Sequence, residues 1–359
     1  MEEIPYTYRQ TLKTPAPISC LAKGSSNHFF AGSDDGSVRV YNQETLKVVK
    51  AIRGLGEVSS VACMSHYTGS FGDVWVSSNR HALHFAMGTE KMILAKTDAT
   101  LTLKLCADDD DVLNELSLNQ KNSQLAFCLD SGTVGVIDLS TKQITRMKTS
   151  HDNICATVKF IPDRPSELVS SGYDSRLLHH DFHQRTVLSR FDLGTSPLPQ
   201  SSGVSMSPPF ILSSAMSPSG ILAVGTADGR VWVGAGGEKI SGVSSGTSVK
   251  KKRRKWEGLK QDEAFTADVG HGPIVALTFI GPRTLFTSTL MGKVTLHEIG
   301  GPTADGKLDI SPKWTKATAD VNKVNAIIAT EGLIIIGGLS ESGGGMIEVW
   351  EKESKSGDV

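Results

Sequence analysis

Phe30-Ala31-Gly32-Ser33-Asp34-Asp35-Gly36-Ser37-Val38-Arg39-Val40-Tyr41 is the stretch that decides the fold, because it recurs. It returns as Leu222-Ala223-Val224-Gly225-Thr226-Ala227-Asp228-Gly229-Arg230-Val231-Trp232-Val233, and more loosely as Leu125-Ala126-Phe127-Cys128-Leu129-Asp130-Ser131-Gly132-Thr133-Val134-Gly135-Val136. Each copy reads as a strand of small residues, a turn and a second strand. The turns rest on Asp35 and Gly36, on Asp228 and Gly229, and on Asp130 and Gly132; Gly292 marks a further one. Asp-Gly between β-branched runs is a hairpin signal, since glycine reaches positive φ without a Cβ clash. A hairpin that repeats along a chain predicts a repeat architecture.

Working outward, seven units can be counted. Their inner strands begin near Ile18, Val58, Leu113, Ile154, Ile211, Ile274 and Val324, and their turns lie near Gly36, Asn79, Gly132, Ser175, Gly229, Gly292 and Gly344. The mean period is roughly 48 residues, which suits one four-stranded blade plus loop insertions. Alternation such as Ser37-Val38-Arg39-Val40-Tyr41 fits strands, and helical patterning is weak throughout. The expected fold is therefore all-β, a seven-bladed β-propeller spanning residues 1–353 as one domain, with a flexible tail at 354–359. The last unit stops soon after Ile347-Glu348-Val349-Trp350 and lacks an outermost strand, whereas the strand-like Tyr6-Thr7-Tyr8-Arg9-Gln10-Thr11-Leu12 has no unit of its own. Pairing the two would close the ring and remove an aggregation-prone sheet edge.

Composition agrees. The 359 residues carry 36 glycines, 39% hydrophobic residues and a net charge of −1, which exerts no global pull toward nucleic acid or anionic membrane. No apolar run is long enough to span a bilayer, and no secretory leader begins at Met1. Cys20, Cys63, Cys106, Cys128 and Cys155 are scattered, odd in number and free of Cys-x-x-Cys spacing, so reduced core thiols of an intracellular protein are expected.

The units resemble WD repeats, whose first strand follows Gly-His and whose third strand ends in Trp-Asp. Gly270-His271-Gly272-Pro273-Ile274 matches the opening, and Ser150-His151-Asp152-Asn153-Ile154 matches it in part. The Trp-Asp ending is eroded to Val40-Tyr41-Asn42, Ile137-Asp138, His180-Asp181, Leu296-His297-Glu298 and Val349-Trp350-Glu351. Residues 113–182 are similar to one subgroup of this family, through Leu113-Asn114-Glu115-Leu116-Ser117-Leu118 and Phe160-Ile161-Pro162-Asp163-Arg164-Pro165. The resemblance implies a WD-type, non-enzymatic propeller that binds other proteins, in its specific form a substrate receptor of a cullin-4 ubiquitin ligase. Such receptors commonly carry an Arg two residues after the third-strand Asp, where it contacts the ligase adaptor. Here His183 and Ser140 stand at that position, which makes His183 the candidate adaptor contact. The resemblance also implies that His151 hydrogen-bonds a turn Asp within its own blade, with Asp174 as candidate partner. His271 lacks such a partner, because Met291 stands where its Asp would be.

Other residues have side chains suited to chemistry. His179, Asp181 and His183 share a face in strict strand alternation, which would allow a surface metal site, although structural side chains are the simpler reading. No nucleophile elbow, phosphate loop or paired zinc motif occurs, and no catalytic, cofactor or metal residue is assigned. Asp108-Asp109-Asp110-Asp111 reads as a solvated loop, with contact to a basic partner as the alternative. Two disordered inter-blade insertions are expected, near 194–209 and 241–262. The second holds Lys250, Lys251, Lys252, Arg253, Arg254 and Lys255. Such a run suits an import receptor, which points to nucleus and cytoplasm; nucleic acid could bind only there. The expected molecule is a monomeric scaffold without cofactor or membrane contact. The alternatives are a nuclear ribosome-biogenesis or RNA-associated factor and, less favoured, a propeller enzyme.

Overall fold

The alternation at Ser37–Tyr41 becomes the strand Val38–Asn42, whose Val38 and Val40 side chains are fully buried. The computed structural model describes residues 6–24, 27–64, 71–195, 207–238, 256–301, 309–330 and 332–353. These residues form seven sheets and, among them, no α-helix. Each sheet is one blade, and every blade has a core of four strands paired antiparallel. The inner strands of blades 1 to 7 are Ile18–Lys23, Val61–Cys63, Leu113–Leu118, Cys155–Phe160, Ile211–Met216, Ile274–Phe279 and Lys323–Ala329. Each inner strand packs beside that of the next blade, and blade 7 returns to blade 1, so the seven make a closed ring around a central channel.

The core is not one mass but seven apolar seams, one between each pair of neighbouring blades. This explains the small residues at the ends of the second strands. A Cβ on Gly32 would lie 2.7 Å from Val58 Cγ1, and one on Gly225 would lie 2.6 Å from Ile274 Cγ2. In both cases the neighbour is the approach to the next blade's inner strand, which a side chain would push away.

Tyr6–Thr14 pairs antiparallel with Gly345–Lys352 and supplies the outermost strand of blade 7. Tyr6 is the anchor. It is buried in the seam of blades 6 and 7, with ring centroids 5.6 Å from Phe286 and 5.7 Å from Trp314. The ring is thus closed by the first described strand of the chain pairing with the last.

The structure amends several expectations. The inner strand of blade 2 begins at Val61 rather than near Val58, because the Ser77 hydroxyl accepts hydrogen bonds from Ser59 N and Ser60 N at 3.0 and 2.6 Å and displaces the start of the ladder. Blade 1 has a fifth strand: Ile93–Ala95, from the loop before the outer strand of blade 2, pairs parallel with Val48–Arg53. Its Leu94 is buried between the two blades, and buried Lys50 donates to Met87 O at 2.8 Å to hold the detour. The insertion expected at 241–262 lies within blade 5, between the strands Arg230–Gly234 and Ala264–Asp268, rather than between blades. Its end is packed: Trp256 is buried and its Nε1 donates to Gly220 O at 3.1 Å. Lys250, Lys251, Lys252, Arg253, Arg254 and Lys255 lie outside the described residues, as do residues 196–206 and the tail at 354–359.

Candidate functional site: a buried network and two loop faces

The turns between second and third strands need a left-handed residue, and Gly36, Gly132, Gly229 and Gly292 supply it with φ between 72° and 90°. Asn79 and Ser175 do so in blades 2 and 4, and Gly343, one residue before Gly344, does so in blade 7. Asp35 and Asp228 cap their own turns: Asp35 accepts from Ser37 N at 3.0 Å and Asp228 from Arg230 Nε at 2.6 Å. Asp130 does not. The residue just before Gly132 is Ser131, whose N–H and hydroxyl both donate to Asp111 at 2.9 Å, whereas Asp130 accepts from Asn114 Nδ2 at 2.9 Å. The acidic run at 108–111 is therefore partly a turn cap.

In blade 4, with strands Cys155–Phe160, Glu167–Gly172, Arg176–Asp181 and Thr186–Asp192, four polar side chains meet below the turn. His151 Nδ1 lies 2.9 Å from Asp174 Oδ1, and its Nε2 lies 2.9 Å from Ser170 Oγ. Ser170 Oγ is also 2.9 Å from His180 Nε2. Ser170 and His180 are fully buried, and His151 is 4% exposed. Asp174 further accepts from Asp152 N and Arg176 N, both at 3.2 Å. The sequence reading named His151 and Asp174 but missed Ser170 and His180. The signal for them lay in the small-residue strand and in His180-Asp181 at the Trp-Asp position.

Ser170, His151 and Asp174 have the connectivity of a serine-hydrolase triad, so chemistry has to be weighed against structure. Burial alone would lower the His151 pKa, but the hydrogen bond to the Asp174 carboxylate works against it and the value is raised to about 9. Near neutral pH the ring is an imidazolium that donates both N–H groups, and so it has no lone pair with which to deprotonate Ser170. With Ser170 sealed from solvent, no substrate reaches the hydroxyl. The arrangement clamps the turn to the second and third strands; it has the shape of a triad without its chemistry.

The other histidines fall into place by burial. His297, buried in blade 6, is 3.0 Å from Thr287 Oγ1 and repeats the His180–Ser170 contact. Burial pulls the pKa of His180 down to about 3 and that of His297 to about 4. His271 is exposed, as is Met291 beside Gly292. The metal alternative at His179, Asp181 and His183 is not assembled: His179 is buried against Ser189 Oγ at 3.1 Å and Glu167 Oε2 at 3.0 Å, and His183 is exposed in the turn beyond the strand. Among the described residues no three His, Cys, Asp or Glu side chains converge as metal ligands.

Two faces remain for binding. One carries the turns just described. The other carries the loops between first and second and between third and fourth strands. There a cleft of about 500 Å³ opens at the channel mouth, lined by Lys121, Lys159, Phe160, Arg164, Met216 and Phe279 from blades 3 to 6. His183 lies on this second face, its ring 4.6 Å from that of Phe182. Ser140 is committed: its N–H donates to Asp138 Oδ1 at 3.0 Å and its hydroxyl to the same oxygen at 2.6 Å.

Comparison with known proteins now bears on this geometry. Residues 6–42 match the WD domain, G-beta repeat. That repeat unit straddles two blades, since it runs from the outer strand of blade 7 into the first three strands of blade 1. The chain is 25% identical over 234 residues to the WD repeat-containing protein 53 homolog of Dictyostelium discoideum. The match covers 60% of this chain and 61% of that relative, so the chain spans about six-tenths of the relative's length. Six four-stranded sheets and one five-stranded sheet, closed into a ring by the outer strand of the matched repeat, make the chain a seven-bladed β-propeller whose first repeat is similar to a WD repeat.

Proposed function

We propose that this propeller is a non-enzymatic protein-interaction scaffold, monomeric, and in its specific form a substrate receptor for a cullin-4 ubiquitin ligase. WD propellers generally bind other proteins, and the single observation that carries the scaffold reading is the sealing of Ser170 and His151. The one cluster in this blade with the connectivity of a catalytic triad is closed to substrate, while the loop faces and the channel cleft are open.

The ligase form rests on the likeness of residues 113–182; His183 stands where the adaptor-contacting Arg of such receptors is expected. An imidazole is shorter than a guanidinium and offers fewer donors, so it cannot reproduce a forked, permanently charged contact. Adaptor binding is expected to be weak in the wild type and stronger in His183→Arg. Co-purification of the adaptor with wild type, His183→Arg and His183→Ala decides the matter; no binding by any of the three leaves the general scaffold and removes the ligase. The run Lys250–Lys255 supports nuclear entry as well as cytoplasmic residence. Replacing those six residues with Ser should abolish nuclear enrichment of a fluorescent fusion, and unchanged localisation would refute the import role. The same run favours a second reading, an RNA-associated factor, whose binding would fall steeply with salt.

A further inference from the structure

The strand Ile93–Ala95, the fifth of blade 1, pairs with Val48–Arg53 and is last in its sheet, with no described strand beyond it. Ala51 N donates to Met92 O at 2.9 Å, so Met92 turns its backbone carbonyl toward Val48–Arg53. Backbone direction alternates along a strand, so the N–H and C=O of Ile93 point away from the sheet. The strand is held in place for pairing: the Asp98 carboxylate accepts from Lys91 Nζ at 2.6 Å and from Ala95 N at 2.8 Å, and so fixes the chain on both sides of Ile93. This edge is also apolar. Met92 is 61% exposed, Ile93 56% and Val48 48%, three of the six exposed large apolar side chains among the described residues. Proteins commonly blunt such an edge with charge or proline, because a bare one recruits other strands.

We propose that this edge is a docking site for an extended segment of a partner protein, in which apolar residues alternate with acidic ones and which adds to blade 1 as a further strand. Main-chain hydrogen bonds at Ile93 supply the pairing, and the flanking side chains supply the selection. Charge decides the occupant. Residues 47–53 and 90–96 hold Lys47, Lys50, Arg53, Lys91 and Lys96 against Glu90 alone. Lys50 is committed to Met87 O and Lys91 to Asp98. That leaves Lys47, Arg53 and Lys96 exposed, with no carboxylate partner among the described residues. A second copy of this chain would bring the same cations to the edge and be repelled, whereas alternating acids would meet them.

The side chains suit such a strand. Ile93 lies opposite Ala51 in register and Leu94 opposite Ile52, and Leu94 is buried between the blades. Successive side chains of a strand point to opposite faces, so a segment laid along Ile93 would set one of its rows beside Ile93 and the other beside Met92. Ile93 is the anchor, since its backbone makes the pairing and its side chain leaves water on docking. The site is separate from the two loop faces and from His183. It rests on the scaffold reading and makes no use of the ligase form.

The test selects a phage-displayed library of random dodecapeptides on the full chain and measures the enriched peptides by fluorescence anisotropy. The expected result is an enriched alternation of apolar and acidic residues, with binding about tenfold weaker or worse to Ile93→Lys. Methylating the central backbone nitrogens of the peptide should abolish binding. Ile93→Lys keeps the local cations, so it separates strand docking from ionic attraction alone, and Met92→Lys gives the same readout should Ile93→Lys lower the melting temperature. Arg53→Glu combined with Lys96→Glu should also weaken binding about tenfold. Equal affinity for Ile93→Lys or for the methylated peptide, or a selection that enriches no acidic peptide, overturns the proposal. A wild-type dimer that Ile93→Lys dissolves, or sedimentation with phosphatidylserine vesicles that it abolishes, would give the edge another occupant and overturn it too. Such a failure leaves the scaffold reading to the loop faces and the channel cleft, which the adaptor co-purification tests separately.

Discussion

Blades 4 and 6 share an opening, a histidine ahead of the inner strand, and differ in where that histidine sits. In blade 4 the turn supplies Asp174, and His151 is drawn inside to bridge it to Ser170. In blade 6 the turn supplies Met291, 65% exposed, and His271 stays at the surface. Both blades keep the deeper contact, His180 with Ser170 and His297 with Thr287. The turn carboxylate thus decides whether the entry histidine is structural, and the strand contact beneath survives without it. Burying a histidine costs desolvation, and only a partner such as Asp174 offsets that cost. Blade 7 handles its entry loop with another group: the buried Glu348 carboxylate accepts from Ala319 N at 2.9 Å, Asp320 N at 3.1 Å and Trp350 Nε1 at 2.7 Å.

The largest effect is expected outside both blades and asks whether their difference is tolerated only inside a closed ring. Deleting residues 1–14 removes the strand anchored by Tyr6 and exposes the edge of Gly345–Lys352. The truncated chain should aggregate on size-exclusion chromatography and melt well below the full chain. A monomer with unchanged melting temperature would show that closure is dispensable.

Acid should act on what the two blades share. His180 and His297 have folded pKa values near 3 and 4, below the ordinary 6.5. A depressed base favours folding above the unfolded pKa, and that stability is lost as pH falls from 6.5 toward the folded value. At pH 5 the loss is about 2 kcal/mol for each ring. His151 works in the opposite direction: with its pKa near 9, its contribution is full below pH 6.5 and is lost as pH rises through 9. Urea unfolding at pH 7 and pH 5 checks this. His180→Asn and His297→Asn should each flatten the dependence by about 2 kcal/mol, and an unaltered slope in both would contradict the burial argument.

Much of the fold was legible because turn chemistry is local. Asp35-Gly36 and Asp228-Gly229 announce their hairpins within a few residues, and the unpaired strand at residues 6–12 predicts closure from its lack of a home. What escaped depends on contacts distant in sequence. Nothing near Ile93 says that it will pair in parallel with Ala51 of another blade, and nothing near Asp130 says that Asp111 will cap its turn. Trp256 fell inside the disordered insertion expected at 241–262 because the six cations before it dominate the local composition, while the carbonyl that holds it is at Gly220. In the network, His151 and Asp174 followed from the resemblance to WD repeats. Ser170 and His180 were hidden because serine in a small-residue strand is unremarked until a ring nitrogen is found 2.9 Å away.

The central claim is that His151 and Asp174 form one structural unit rather than half of a catalytic one. A double-mutant cycle by denaturant unfolding tests it most directly, with His151→Ala, Asp174→Ala and the double variant. Each single change should cost about 1–3 kcal/mol by leaving a buried partner unsatisfied. The double variant should cost clearly less than the two added together, with a coupling of about 1 kcal/mol or more. Strict additivity would mean that the 2.9 Å contact does not hold the blade together, and would contradict the account.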